Sequence, residues 1–177
     1  MSATGSQHWS KTFAALRASL TVSLIAAALA GTAIAGPFVD ADRAYATGDY
    51  ATALRLSRQL ANEGSAAAQF NLGVLYERGK GVPQDYSEAF KWYKKAADQG
   101  NASAQHTLGV LYDEGQGVTQ DYVESYKRLD LAASRFPPSE KSPREGAVSN
   151  RDLLARKMTS AQIAEAQNRA REWKPTK

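Results

Sequence analysis

The chain has 177 residues, no cysteine and two histidines, with 22 basic and 18 acidic residues and a formal net charge of +4. Without cysteine it forms no disulfide, and so few histidines exclude a zinc site of the usual cysteine and histidine type. No run of lysine or arginine is long enough for a nucleic-acid-binding patch, so we expect no nucleic-acid partner.

The first 35 residues have the pattern of a secretory signal peptide. Lys11 and Arg17 provide a basic start, an apolar stretch over 20–35 follows, and Ala33 and Ala35 form a small-x-small cleavage site. We expect cleavage after Ala35 and a mature protein that is periplasmic or secreted, with no stable membrane span. The alternative is a retained anchor, but the 16 apolar residues are short for a span of about 20. Cleavage leaves 142 residues with 20 basic and 18 acidic side chains, enough for one domain.

A sequence repeat with a period of 36 residues follows. The windows 65–100 and 101–136 are identical at 18 positions, which predicts two copies of one structural repeat. A fainter copy over 36–64 has Asp49 and Gly64 at the positions equivalent to an aspartate and a glycine of the first repeat. We therefore predict a degenerate N-terminal helix pair before the two repeats.

Each repeat is predicted to consist of two helices joined by a glycine turn. Apolar residues with helical spacing, among them Leu72 and Leu75, form the buried stripe of the first helix. Gly79 ends this helix and opens a G-x-G turn, because glycine takes the left-handed conformation of a helix C-cap. Asp85 is expected to cap the second helix, and Glu88 three residues later completes an acidic version of the capping box.

The repeat pattern fades after the second copy. We predict a loop over 137–148, because its prolines and its glycine disfavour helix. Two C-terminal capping helices are predicted within 149–177, the last of which begins after Thr159 with Gln162 at the third position. This last helix is expected to fold back over the open end of the stack, because a terminal repeat otherwise exposes its apolar face. The predicted fold class is all-α, a short α/α solenoid of helix-turn-helix repeats with a C-terminal capping helix.

The repeats resemble the Sel-like repeat family, which is related to tetratricopeptide repeats. The positions that fit the family pattern in the first copy are Ala66, Ala68, Leu72, Gly73, Leu75, Tyr76, Gly79, Gly81, Val82, Asp85, Ala89, Trp92, Ala96, Ala97 and Gly100. The second copy fits through Ala133, with Ser125 and Arg128 as departures. The resemblance implies an α-solenoid that scaffolds other proteins, and the segment 157–173 is similar to the last helix of exported bacterial members.

Few residues are candidates for catalysis. Signal removal takes His8 and leaves His106 as the only histidine, at a position where the first repeat has Phe70. The G-x-G turn lacks the frame of a phosphate-binding loop, and Asp85 and Asp121 are better explained as helix caps than as paired acids. We expect no cofactor, no metal and no enzymatic activity. The alternative is a cell-wall-related hydrolase, of esterase or penicillin-binding type, by analogy with cysteine-rich members of the family.

The remaining candidates lie opposite the buried stripe on the first helix of each repeat, at i, i+4 and i+7. They are Phe70, Val74 and Glu77, with the counterparts His106, Val110 and Asp113. First helices line the groove of tetratricopeptide-like stacks, so this partly apolar ladder with an acidic edge is expected to bind a protein or peptide. Alternatively, Phe70 and the valines only contact neighbouring helices. The predicted function is an exported, non-enzymatic scaffold or adaptor that mediates protein–protein interaction through this groove.

Overall fold

The structure is a computed structural model that describes residues 36–176, so the predicted signal peptide lies outside the described residues. Within the described part of the chain, all regular structure is helical and forms eight helices. They are α1 (Pro37–Thr47), α2 (Tyr50–Asn62), α3 (Ala66–Arg78), α4 (Tyr86–Asp98), α5 (Ala102–Glu114), α6 (Tyr122–Arg135), α7 (Lys141–Ala155) and α8 (Ser160–Glu172).

Consecutive helices pack as pairs, α1 with α2, α3 with α4, and α5 with α6. The second helix of each pair also packs against the first helix of the next pair, so the three pairs form one continuous stack. The core has the same arrangement: Ala53 of α2 and Leu72 of α3 share one cluster, and Tyr93 of α4 and Leu108 of α5 share the next. The predicted all-α solenoid is confirmed.

The second helix of each pair begins at the predicted aspartate. The carboxylates of Asp49, Asp85 and Asp121 each accept a hydrogen bond from a backbone N–H in the following first turn. These bonds satisfy donors that have no partner within the helix. The acidic capping box is only half formed, because the Glu88 side chain bonds to Lys91 on its own helix instead of reaching back.

Glycines at helical positions bring the two helices of each repeat close together. A Cβ atom at Gly73 would lie 2.6 Å from the Tyr93 ring, and one at Gly109 would lie 2.6 Å from Leu129 Cγ. Any larger residue therefore has to push the helices apart. This close packing explains why both repeats have glycine inside a helix, where it costs about 1 kcal/mol relative to alanine.

The second glycine of each G-x-G turn joins successive pairs. A Cβ atom at Gly81 would lie 2.7 Å from the carbonyl oxygen of Tyr50, and one at Gly117 would lie 2.3 Å from that of Tyr86. Tyr50 and Tyr86 are the first residues of α2 and α4, so both turns pack against the preceding pair in the same way. Gly81 and Gly117 also have φ angles of 73° and 69°, so both space and backbone conformation require glycine.

Buried glutamines connect neighbouring pairs through the backbone. Gln69 Nε2 donates to the carbonyl oxygen of Ala61 at 3.2 Å, and Gln105 Nε2 donates to that of Ala97 at 2.7 Å. The two acceptors lie in the last turns of α2 and α4, where carbonyl groups lack intrahelical partners. Each carbonyl also accepts from the backbone N–H of a following glycine, so the glutamine adds a second hydrogen bond that links each first helix to the helix before it.

Arg128 marks the end of the regular repeats. It stands where the first repeat has Trp92 and is only 5% exposed. Its guanidinium donates to Glu124 at 2.8 Å and to Gln105 at 3.2 Å, and lies 3.5 Å from the carboxylate of Asp98. A buried guanidinium requires such partners. Because Asp98 lies on α4, Arg128 connects α6 to the preceding pair, and its bond to Gln105 connects α6 to α5 within its own pair.

The predicted loop over 137–148 is wrong, because α7 begins at Lys141 and includes most of that segment. Pro143 is the third helical residue, where a backbone N–H has no intrahelical partner, so proline is compatible with the first turn. Gly146 lies inside the helix, and the neighbouring Ala147 is fully buried in a cluster with residues of α6. Burial of this face compensates for the weak helix propensity of the segment.

The last two helices close the stack in different ways. α7 packs against α6 as α5 packs against α4, so it occupies the place of the next first helix. α8 packs mainly along α6, where Ala166 and Ile163 join a cluster with Tyr126 and Leu129. The last helix therefore folds back on the stack as predicted, and the capping box at Thr159 is confirmed.

The segment after α8 returns to the boundary between the two repeats. The guanidinium of Arg135 lies 4.3 Å from the centre of the Trp173 ring, a cation–π contact. The backbone N–H of Thr176 donates to the carbonyl oxygen of Asp98 at 2.8 Å. This C-terminal tail therefore covers the end of α4 and helps to keep the last pair against the first repeat.

Truncation of the equivalent core leucines should destabilise the protein strongly. Leu72 and Leu108 are both 0% exposed, so replacing either with alanine should lower the free energy of unfolding by about 2–5 kcal/mol. Leu153, which is 52% exposed, is the matched control, and its replacement by alanine should change stability by less than about 0.5 kcal/mol. Urea denaturation followed by circular dichroism measures all three. Similar losses for Leu72→Ala and Leu153→Ala would contradict the assigned helix faces.

The two requirements at the turn glycines can be separated by comparing Gly117→Ala with Gly64→Ala. Gly64 has a φ of 96° but nothing within 4 Å of an added Cβ atom, so its replacement should cost only backbone strain, about 1–2 kcal/mol. Gly117→Ala adds a clash with the Tyr86 carbonyl and should therefore cost clearly more. The measurement is the free energy of unfolding of both variants. Equal losses would show that the turn does not have to approach α4 closely.

Candidate functional site

The six positions opposite the core stripe are all half-buried and lie on α3 and α5. Their i, i+4, i+7 spacing puts each set of three on one face of its helix. A half-buried side chain at such a position touches the protein on one side and solvent on the other. These positions are therefore accessible to a ligand without any unfolding of the core.

Five of the six positions surround one open cavity of about 280 Å³ between α3 and α5. They are Phe70, Val74, Glu77, His106 and Val110, and the lining is completed by Arg78, Tyr93 and Thr107. The lining combines apolar side chains, which we call the floor, with charged and hydrogen-bonding groups, which we call the rim. This combination is typical of sites that bind a ligand through a few anchoring side chains.

Two further cavities continue this central one along the first helices. One of about 230 Å³ lies between α1 and α3 and includes Asp42, Tyr45 and Asn71 in its lining. The other, of about 350 Å³, lies between α5 and α7. Val74 lines both the first and the central cavity, and Val110 lines both the central and the last. The three cavities therefore lie in a row along the first helices, and we call this row the first-helix groove.

Asp113 is the one predicted position that does not line the central cavity. It lies in the last cavity, where its carboxylate accepts a hydrogen bond from the Lys157 ammonium at 3.0 Å. Lys157 is the second residue after the end of α7. One of the predicted acidic positions is thus paired with a basic group of the chain itself.

Glu77 is held in place by a buried tyrosine. The Tyr93 hydroxyl donates to the Glu77 carboxylate at 2.5 Å, and the Phe70 ring packs against the Tyr93 ring with 5.5 Å between centres. Burial, followed by the nearby Glu77 carboxylate, raises the pKa of Tyr93, so the hydroxyl keeps its proton and remains a donor. The carboxylate of Glu77 therefore has a fixed position at the rim of the central cavity.

His106 contacts α7 across the groove. Its Nε2 atom lies 2.9 Å from Nδ2 of Asn150, a hydrogen bond whose direction follows from an amide donor and a neutral ring. Burial lowers the pKa of His106, which favours that neutral ring. Together with the pairing of Asp113 and Lys157, this contact fixes α7 against α5. The last cavity of the groove is therefore bounded by the chain's own seventh helix.

The sequence reasoning missed the groove residues near the N-terminus. Asn71 Nδ2 donates to the Asp42 carboxylate at 2.7 Å, and Arg78 donates to the Tyr45 hydroxyl at 3.0 Å. Asn71 lies on α3 beside Val74, and its polarity next to an apolar stripe was the available signal. Asp42 and Tyr45 could be placed only once α1 was known to pack beside α3.

The described residues 36–176 include no group of three histidine, aspartate or glutamate side chains that could bind a metal ion. No helix in this part of the chain is long and apolar enough to cross a membrane. Asp85 and Asp121 are both exposed and act as helix caps. The hydrogen-bond partner of His106 is the amide of Asn150 and not an acid.

The repeat family is identified by direct comparison. A family model described as Sel1 repeat matches residues 66–101 and 102–135. The chain is a Sel1 repeat protein. A crystal structure of c5321, a protective antigen present in uropathogenic Escherichia coli strains that displays an SLR fold, superposes with a TM-score of 0.70 at 30% sequence identity. This match covers 77% of the chain and 29% of the Escherichia coli protein, so the chain spans less than a third of that relative's length.

A second solved structure is similar over part of the chain. A Sel1 repeat protein from Oxalobacter formigenes is 37% identical, with 48% of this chain and 64% of that chain covered and a TM-score of 0.47. No curated protein matches the sequence significantly. The Sel1 repeats therefore establish the architecture, and the role of this particular stack has to be argued from its own surface.

The neutral state of His106 should make stability depend on pH. Burial lowers its pKa below the unfolded value of about 6.5, so the free energy of unfolding should fall as the pH drops through 6.5. It should level off below the folded pKa. His106→Gln retains a hydrogen-bonding group for Asn150 but does not titrate, so this variant should lose that part of the pH dependence. Urea denaturation at about pH 7.5 and pH 5 compares the two proteins, and identical pH dependences would contradict the burial of a neutral ring.

Proposed function

We propose that the protein is an exported adaptor without catalytic activity that binds a segment of another protein in the first-helix groove. The observation that supports this proposal is the row of three neighbouring cavities, which share Val74 and Val110 in their linings. Helical repeat stacks typically bind proteins through such extended surfaces. The apolar floor supplies contact area, and the fixed polar groups at the rim supply selectivity.

Export is proposed from the N-terminal sequence alone. The basic start, apolar stretch and small-x-small site over residues 1–35 support cleavage after Ala35 and a periplasmic or extracellular location. N-terminal sequencing of the protein recovered from the cell envelope or medium tests this part. A first residue of Gly36 is expected, and recovery of the intact N-terminus from the cytoplasm would contradict it.

The groove is tested with a double variant, Val74→Gln with Val110→Gln. Glutamine is a good helix former, so the helices should persist while uncharged amides replace the apolar floor. The mature protein, immobilised, should retain a protein from the native envelope that the double variant does not retain. The matched control is Val39→Gln on α1, an exposed valine outside the groove, which should behave as the unchanged protein.

Circular dichroism establishes that each variant is folded. Equal retention of the same proteins by all three forms would contradict binding in the groove. The hydrolase alternative is checked with the same purified protein and chromogenic ester and β-lactam substrates. Turnover that survives His106→Ala but is abolished by another single substitution would overturn the non-enzymatic role.

A further inference from the structure

The charged groups along the first-helix groove are predominantly acidic. The acidic residues that line it are Asp42, Glu77, Asp113 and Glu114, and the basic ones are Arg78 and Lys157. The mature chain as a whole has a small positive net charge. The excess of carboxylates in the groove therefore has the opposite sign to the protein as a whole.

The N-terminal two cavities contain the carboxylates of Asp42 and Glu77, whose hydrogen-bond donors are neutral. Lys157 neutralises Asp113 in the last cavity. Asp42, by contrast, accepts a hydrogen bond from the neutral amide of Asn71, and Glu77 accepts one from the neutral hydroxyl of Tyr93. Neutral donors orient a carboxylate without cancelling its charge. Within residues 36–176, neither Asp42 nor Glu77 forms an ion pair.

Arg78 does not cancel both of these charges. Its guanidinium donates to the Tyr45 hydroxyl, and this hydrogen bond is the main reason why the pKa of Arg78 is raised. One guanidinium against the carboxylates of Asp42 and Glu77 leaves a negative excess in the first two cavities. Phe70, Val74 and Val110 supply the apolar part of the lining of these two cavities.

The spacing of the cavities favours an extended ligand. One first helix lies between neighbouring cavities, and a helix with its side chains is about 10 Å wide, so the cavities are separated by about 10 Å. An extended polyproline-type chain rises about 3.1 Å per residue and repeats its side-chain direction every third residue. Every third side chain of such a segment can therefore enter successive cavities.

We propose that the first-helix groove accepts an extended, cationic protein segment with an apolar side chain at every third position and lysine or arginine between. This inference rests on the proposed function and specifies its partner class. The apolar side chains contact the floor near Val74 and Val110, and the cationic groups face Asp42 and Glu77. Complementary charge of this kind gives specificity and fast association more than raw affinity.

The first experiment compares two labelled peptides by fluorescence anisotropy with the mature protein. The probe is a nonapeptide with leucine at every third position and lysine and glycine between, and its twin has glutamate in place of lysine. At low salt the lysine peptide should bind at least about tenfold more tightly than its twin. Its affinity should fall as salt rises, because exposed charges are screened beyond about 10 Å at 0.1 M. Equal binding of the twins, or no binding of the lysine peptide, overturns the inference.

The second experiment assigns the charge effect to named residues. Asp42→Asn with Glu77→Gln keeps the hydrogen-bonding groups but removes both charges, and should weaken binding of the lysine peptide at least about fivefold and reduce its salt dependence. The control Glu88→Gln removes an exposed carboxylate on α4, outside the groove, and should leave binding unchanged. Equal effects of the two changes overturn the assignment to the groove.

The apolar double variant separates this inference from the proposed function. If Val74→Gln with Val110→Gln weakens binding of both peptide twins, but the unchanged protein binds the two twins equally, the groove is a binding site and the preference for a cationic segment is wrong. If the lysine peptide binds that variant as tightly as the unchanged protein, the site of binding lies elsewhere and the inference is wrong. Retention of the native envelope partner by the double variant decides the proposed function independently.

Discussion

Successive helix pairs are held at a fixed distance by a backbone contact that leaves no room for a side chain. The second glycine of each G-x-G turn approaches the carbonyl of the first residue of the preceding second helix, at Gly81 with Tyr50 and at Gly117 with Tyr86. Because both partners are backbone, the contact is the same in each repeat whatever the surrounding side chains are. The first helices are thereby spaced regularly, and the groove between them exists because of that spacing. Other contacts, such as the buried glutamine bonds, then fix the rotation of one pair on the next.

Most of the fold could be predicted from the sequence because the same pattern of residues occurs in two copies. Positions such as Leu72, Gly79 and Asp85 each have a counterpart 36 residues later, so stripe, turn and cap could be separated from incidental residues. The C-terminal part has no such copy. Its prolines and glycine indicated a loop, whereas the burial of Ala147 on α6 makes the segment helical. Local propensity was a poor guide there because the deciding contact is with a distant part of the chain.

The sequence predicts the site residues whose position depends only on the phase of their own helix. It does not predict those whose position depends on how other helices pack. The i, i+4, i+7 positions of α3 and α5 follow from the period of the helix alone, and five of the six line one cavity. The contributions of Asp42 and Tyr45 depend on how α1 is placed, which the weak first copy did not specify. The pairing of Asp113 with Lys157 requires α7 to occupy the next position in the stack. Charge balance in the groove could therefore be assessed only from the three-dimensional arrangement.

The contacts of α7 with α5 determine how long the groove is. Asn150 and Lys157 bond to side chains of α5 that would otherwise face the next unit of the stack. The turn contact, in contrast, is identical at both boundaries and has no preference for a particular number of units. A further 36-residue module inserted between residues 100 and 101 would find the same glycine and carbonyl partners on either side, while α7 and α8 would still terminate the last one. The protein thus combines a repeat that can be duplicated with C-terminal helices that end the stack. Duplication of the repeat in the sequence would lengthen the groove without a change in any interface between helices.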